Sequence, residues 1–196
     1  MASQTQMTEP RSAEDVLALL EKAEKDEQGL PPVHRWQPDH QADIDIRIAR
    51  DGRWYHEGSV IRREAMVRVF STILRREGDD YFLVTPAEKL RIVVEDAPFV
   101  AVALEQVVDR GVAKLVFTTN VGATVVADAR HPLRVETDPA TGEPSPYLRV
   151  RDNLEALLGR NVFYQLVELA EQVQHQGEPW LAVRSDGEQF LVGPLG

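Results

Sequence analysis

Between Leu90 and Val150 the sequence is a succession of short runs, at residues 90–95, 99–108, 114–119, 123–127, 133–137 and 147–150, that are rich in β-branched residues or alternate apolar with polar ones. Side chains on a strand point to opposite faces in turn, so a chain carrying six such runs must find sheets in which to bury one face of each. That requirement makes the carboxyl-terminal half strand-rich. The run at 99–108 is long enough to read as a helix instead.

The segment before Pro86 mixes both periods. Ile44, Ile46 and Ile48 alternate with Asp45 and Arg47, and Asp51-Gly52 suits a type I′ turn, after which residues 53–57 return as the partner strand. Gly58-Ser59 breaks the pattern. Met66, Val69, Phe70, Ile73 and Leu74 then recur at helical spacing, with Glu64 and Arg68 one turn apart, which predicts an amphipathic helix of about four turns starting near Ser59. Residues 81–85 form a strand ended by Pro86. Upstream, residues 1–11 read as a loose tail. Ser12 and Asp15 resemble a capping arrangement for a helix carrying Val16, Leu19, Leu20 and Ala23, followed by a connector at 26–42 with Pro31, Pro32 and Pro38.

Beyond Val150, Asp152 with Glu155 looks like a capping box for a helix through Leu154, Leu157 and Leu158 that Gly159 interrupts and that Phe163, Leu166, Val167 and Ala170 continue. The chain closes with residues 180–183, Asp186-Gly187 and 190–192, a hairpin with the same turn dipeptide as the first. Phe82-Leu83-Val84-Thr85-Pro86 echoes Phe190-Leu191-Val192-Gly193-Pro194, although aligning the turns and aligning the proline-ended strands require different offsets. A strand and helix motif used twice is one reading, and the commonness of Asp-Gly in hairpins is the other.

A length of 196 residues accommodates one large domain or two small ones, and a fold of that size buries roughly 70% of its unfolded surface. The absence of cysteine removes disulfides, thiolate nucleophiles, cysteine zinc sites and iron–sulfur clusters together. No stretch approaches about 18 apolar residues and the amino terminus has no signal-peptide pattern, so no membrane association and a cytoplasmic location are expected. The net charge of −10 argues against general nucleic-acid binding. The average conceals a basic island, because residues 46–76 hold eight arginines against Asp51, Glu57 and Glu64, a local +5.

The strings DIDIRIARDGRWYHEGSVIRR at 43–63 and YFLVTPAEKLRIVVEDAPF at 81–99, extended by LVFTTNVGA at 115–123 and HPLRVE at 131–136, resemble the bacterial family catalogued as domain of unknown function 1285. The likeness covers roughly residues 30–195. It implies an α+β fold of two lobes built from a duplicated strand/helix motif, the carboxyl-terminal lobe being a strand-rich, pleckstrin-homology-like partial barrel with a packed helix. Division into a tail at 1–11, an amino-terminal lobe at 12–90 and a carboxyl-terminal lobe at 91–196 follows. The resemblance further implies a ligand site between the lobes and a role in signalling through a small, nucleotide-like molecule, and it brings no catalytic residues.

Each candidate site residue has a structural alternative. Arg62 and Arg63, in the first turn of the expected helix, would join free backbone N–H groups in holding an anion, with Arg68 nearby, or would form surface ion pairs. Trp54 and His56 share one strand face beside this patch, either to stack on a base or to pack in the core. Asn120, with Gly122, either touches ligand or simply makes a turn. His34, Asp39, His40, Asp43 and Asp45 have a metal-like composition at no recognised spacing, so neither metal nor cofactor is expected. The sequence therefore favours a noncatalytic regulatory protein that binds an anionic small molecule. A hydrolase or transferase acting on a phosphorylated metabolite and a protein–protein adaptor of unidentified partner are the alternatives.

Overall fold

The structure, a computed structural model, describes residues 29–196. The expected tail and the helix from Ser12 lie outside the described residues. What is described is a strand-rich α+β protein of two units, the first holding the described residues up to Arg47 together with Trp54–Val93, the second Ile48–Arg53 and Val94–Gly196.

In the first unit a 3-10 turn at Val33–Arg35 precedes β1 (His40–Ile48), β2 (Trp54–His56), β3 (Ser59–Val60), helix α1 (Glu64–Thr72), β4 (Leu74–Glu77), β5 (Asp80–Val84) and β6 (Glu88–Val94). These strands form one sheet in the order β3-β2-β1-β6-β5-β4. The expected strand at 44–48 is the end of β1. Asp51-Gly52 is not the type I′ turn, since only Gly52 has positive φ. That conformation belongs to Glu57-Gly58, both left-handed, between β2 and β3. Helix α1 is shorter than the apolar spacing suggests. The Ser71 and Thr72 hydroxyls donate to the carbonyls of Arg68 and Val69, both at 2.6 Å, offering the last turn an alternative to further helix. Leu74 is then drawn into register opposite Leu83. Its start is also later than expected, with Arg63 as the N-cap and Arg62 outside the helix.

The second unit continues with β7 (Phe99–Asp109), β8 (Val112–Thr119), β9 (Thr124–Val126), β10 (Leu133–Thr137), β11 (Pro144–Arg151), β12 (Leu154–Leu158), helix α2 (Arg160–Glu168), β13 (Glu171–His175), β14 (Glu178–Ser185) and β15 (Glu188–Pro194). One sheet has the order β10-β11-β12-β7-β8-β9, with β12 parallel to β7, and β13-β14-β15 form a second. The run at 99–108 is thus a strand. So are residues 154–158, where the sequence suggested a helix: Leu154, Ala156 and Leu158 are buried and their neighbours less so, the period of two that a strand needs. Asp152, at a φ of 46°, turns β11 into β12 rather than capping a helix. Gly159 begins the helix instead of interrupting it. A Cβ there would meet the Ala101 carbonyl at 3.1 Å, and its N–H donates to that carbonyl at 2.9 Å.

The cores follow from these pairings. Trp54 stacks on Phe70 with centroids 6.2 Å apart in the first unit, where Ile46, Ile73 and Leu83 are also buried. Phe99, Leu115, Phe117, Leu148, Leu154 and Leu166 are sealed in the second. The Phe82-Leu83-Val84 and Phe190-Leu191-Val192 echoes occupy different places, β5 being the second strand after its helix and β15 the third.

Candidate functional site

The sequence-derived candidates have separate structural commitments. Trp54 is 1% exposed, and its indole N–H has no acceptor among the described residues, so it is a core side chain with no face left for a ligand. His56 is half-buried on β2, opposite Ser59. The Arg47 guanidinium lies 4.2 Å over the Tyr55 ring, so the cation–aromatic contact of this strand falls on Tyr55. Arg62 and Arg63 are exposed just before α1, and Arg68 lies 3.6 Å from Glu64 on the helix surface. Elsewhere in the basic island Arg75 donates to the carbonyls of Val33 and Trp36 and to Glu77, and Arg76 donates to the Gly78 carbonyl. Those two arginines hold turns together.

Asn120 is a fastener. Its Oδ1 accepts the Val100 N–H at 3.0 Å and its Nδ2 donates to the Gly52 carbonyl at 3.2 Å, which ties the 48–53 loop to β7 within the second unit. Among the described residues no group of three His, Asp or Glu side chains could hold a metal ion. Asp43 is engaged instead by Arg91, in a two-pronged pair at 2.9 and 3.2 Å.

An open cleft of about 690 Å³ lies wholly within the second unit. The end of β12 delivers Gly159, and α2 then presents Arg160, Phe163 and Tyr164 to the cleft, with Arg50, Ser145 and Val100 among the other lining residues. Residues three and four apart share a helix face, which sets Arg160 beside both aromatic rings. Tyr164 is 55% exposed. The Arg160 guanidinium has no hydrogen-bond or ion-pair partner among the described residues. Gly159 has no side chain to cap α2, and the first main-chain acceptor used within the helix is the Gly159 carbonyl, reached by Phe163 N–H at 2.9 Å. The N–H groups of residues 160–162 are therefore open at a helix terminus that favours negative charge.

Two other lining residues, Arg50 and Ser145, belong to a hydrogen-bonded network. Arg50 donates from Nη2 to Ser145 Oγ at 3.2 Å and pairs through Nε with Asp96 at 3.1 Å, while Tyr147 donates its hydroxyl to Asp96 at 2.7 Å. Burial, assisted by the Asp96 carboxylate, pushes the Tyr147 hydroxyl up to about 12. Arg134 covers the Tyr147 ring at 4.4 Å and forks onto Glu155 at 2.7 and 2.6 Å, which raises its own pKa. Arg50 is thus neutralised, and Asp51 and Glu143 add negative charge at the rim. Arg160 is left as the cation able to accept a new partner.

Sequence reasoning missed this wall because Arg160 follows a strand misread as helix. A glycine placed between an alternating apolar run and a helical stripe was the available signal.

Two family models match the chain: one described as the N-terminal domain of DUF1285, a domain of unknown function, over residues 31–97, the other as the C-terminal domain of the same family over residues 98–192. Two solved structures are similar. A DUF1285 family protein from Silicibacter pomeroyi DSS-3 is 47% identical, with a TM-score of 0.79 over 92% of this chain and 95% of that one. A DUF1285 family protein from Shewanella baltica OS155 is 29% identical, with a TM-score of 0.51 over 63% of this chain and 90% of that one. No curated protein matches.

Proposed function

The chain belongs to the DUF1285 family, and from that premise we propose that it is a noncatalytic regulatory protein whose second unit binds an anionic, planar small molecule of nucleotide-like chemistry. The observation that carries the reading is the α2 wall of the cleft, where an uncommitted guanidinium, three open N–H groups and an exposed tyrosine share one helix end. A phosphate or carboxylate fits the N–H groups and Arg160, and a planar ring fits against Tyr164 and Phe163. Signal transduction in the cytoplasm is the setting proposed for it.

The repeated order of elements supports a duplicated motif as the origin of the fold. Three antiparallel strands, a helix and three further strands occur as β1–β3, α1, β4–β6 and as β10–β12, α2, β13–β15. In the first set β1 pairs with β6, and in the second β10 lies beside β15. A pleckstrin-homology-like description of the second unit remains part of this proposal.

The test is thermal unfolding in the presence of nucleotides, sugar phosphates and dicarboxylates. A ligand at 100 times its Kd stabilises the native state by about 2.7 kcal/mol, which raises Tm by roughly 5–11 °C for a protein of this size. Arg160→Ala should abolish the shift, whereas Arg62→Ala should not. Absence of any shift at about 5 mM of every anion refutes the reading, and consumption of a stabilising ligand replaces it with an enzyme acting on a phosphorylated metabolite.

A further inference from the structure

β7 and β8 form a long hairpin closed by the two left-handed residues Arg110 and Gly111, with Asp109 opposite Val112. Its two flanks are treated differently. On the β8 side, β9 pairs with residues 116–118, and the β14–β15 turn covers the remainder, with Asp186 N–H donating to the Ala113 carbonyl at 2.9 Å and Ser185 Oγ accepting Leu115 N–H at 2.9 Å. On the β7 side, β12 pairs only with Phe99, Val100 and Ala101. Among the described residues, no strand lies beside the outer flank of β7 beyond that point, through Asp109.

Hydrogen-bond parity identifies which groups are open. A two-residue loop makes Asp109 and Val112 a hydrogen-bonded pair, so Val107 and Glu105 also turn their main-chain groups toward β8. Leu104, Gln106 and Val108 then direct theirs outward. Residues 105–109 are exposed, Val108 at 71% and Val107 at 40%, and the segment contains no proline or lysine to discourage pairing.

We propose that this flank of β7 pairs antiparallel with β7 of a second copy of the chain, about a two-fold axis at Gln106. Antiparallel two-fold pairing sets residues symmetric about the axis opposite one another. An axis at Glu105 opposes that carboxylate to itself, and an axis at Val107 opposes Glu105 to Asp109, so like charges disfavour both. The axis at Gln106 sets Leu104 against Val108, Glu105 against Val107 and Gln106 against its own copy. Asp109 meets Ala103, and its charge is already held by Lys114 at 2.9 Å. The pairing supplies about six main-chain hydrogen bonds. One strand pair buries less than the roughly 1,000 Å² of a stable interface, so association is weak and concentration-dependent.

Sedimentation equilibrium of the intact chain from about 5 to 500 µM, in about 0.5 M salt to screen the −10 charge of each copy, tests the assignment. The mass should rise from 22.0 kDa toward twice that value. Val108→Lys, at an exposed site, and Gln106→Pro, which removes an outward N–H and fixes φ at about −65° while leaving the bonds to β8 in place, should each weaken association at least tenfold. A chain that stays at 22.0 kDa throughout, leaving the flank to a foreign strand, overturns the proposal. So does a dimer that persists in either variant.

Discussion

Replacing Ser185 by alanine removes a single oxygen, and the geometry around it sets the size of the effect. Ser185 is fully buried, donates to the Ala127 carbonyl at 2.6 Å and accepts the Leu115 N–H at 2.9 Å. It thereby joins β14, β8 and the chain after β9. The alanine variant orphans one buried donor and one buried acceptor, each of which costs about 1–3 kcal/mol when left unpaired. The vacated volume is smaller than the roughly 30 Å³ that a water occupies in the liquid, so solvent does not restore the bonds. A total loss of about 2–6 kcal/mol follows, or a fall in Tm of roughly 4–24 °C at about 2–4 °C per kcal/mol. Urea unfolding followed by circular dichroism measures it, and the Leu115 amide should exchange faster in the variant. A Ser185→Ala protein within about 0.5 kcal/mol of the parent would refute the reasoning, because the two bonds would then add nothing beyond what water supplies.

The remaining expectations concern three other positions. Trp54→Ala should cost about 3–5 kcal/mol by opening a cavity beside Phe70. Trp54→Phe should cost much less, since the indole N–H it deletes is buried without a partner, and equal urea midpoints for the two variants would contradict this. Gly52→Ala should destabilise by about 1–3 kcal/mol, as φ is 87° and the new Cβ would sit 2.7 Å from Asn120 Nδ2; an unchanged midpoint would count against the Asn120 fastener. Tyr147 has its pKa raised to about 12 in the folded protein, against about 10 unfolded. Its contribution is therefore complete below pH 10 and lost as pH climbs toward 12. The stability difference between the parent and Tyr147→Phe should shrink across that window, and a difference independent of pH would exclude the assignment.

Strands were legible where alternation and turn chemistry agreed, as at 133–137 and in the β14–β15 hairpin around Asp186-Gly187. They were misread where a second pattern overlapped the first. Leu157 and Leu158 gave residues 154–158 a helical spacing, yet the pairing with β7, available only in three dimensions, selects the period of two formed by Leu154, Ala156 and Leu158. Ile73 and Leu74 continued a helical stripe that two hydroxyls end early. The turns Glu57-Gly58, Arg110-Gly111 and Gln176-Gly177 adopt the same left-handed pair as Asp186-Gly187 but lack its familiar first residue. The candidate site was less legible than the fold. Arg160 is chemically identical to the other arginines in the sequence, and what distinguishes it is its place at the start of α2 beside Phe163 and Tyr164 in the lining of the cleft, a property of packing.

The six-stranded sheet of the second unit is two hairpin-connected meanders, β7-β8-β9 and β10-β11-β12, stitched by the three parallel residue pairs between β12 and β7. Each meander closes through contacts between sequence neighbours, whereas the seam must bring Phe99 beside Ala156 across a long span of chain. It is the natural line along which the sheet would part in a sub-global opening short of complete unfolding. Val100 borders the cleft from one side of that seam, and Leu157, Leu158 and Gly159 border it from the other. A molecule bound there would act as a rivet across the two halves, slowing their separation and coupling occupancy of the cleft to the cooperativity of the whole unit.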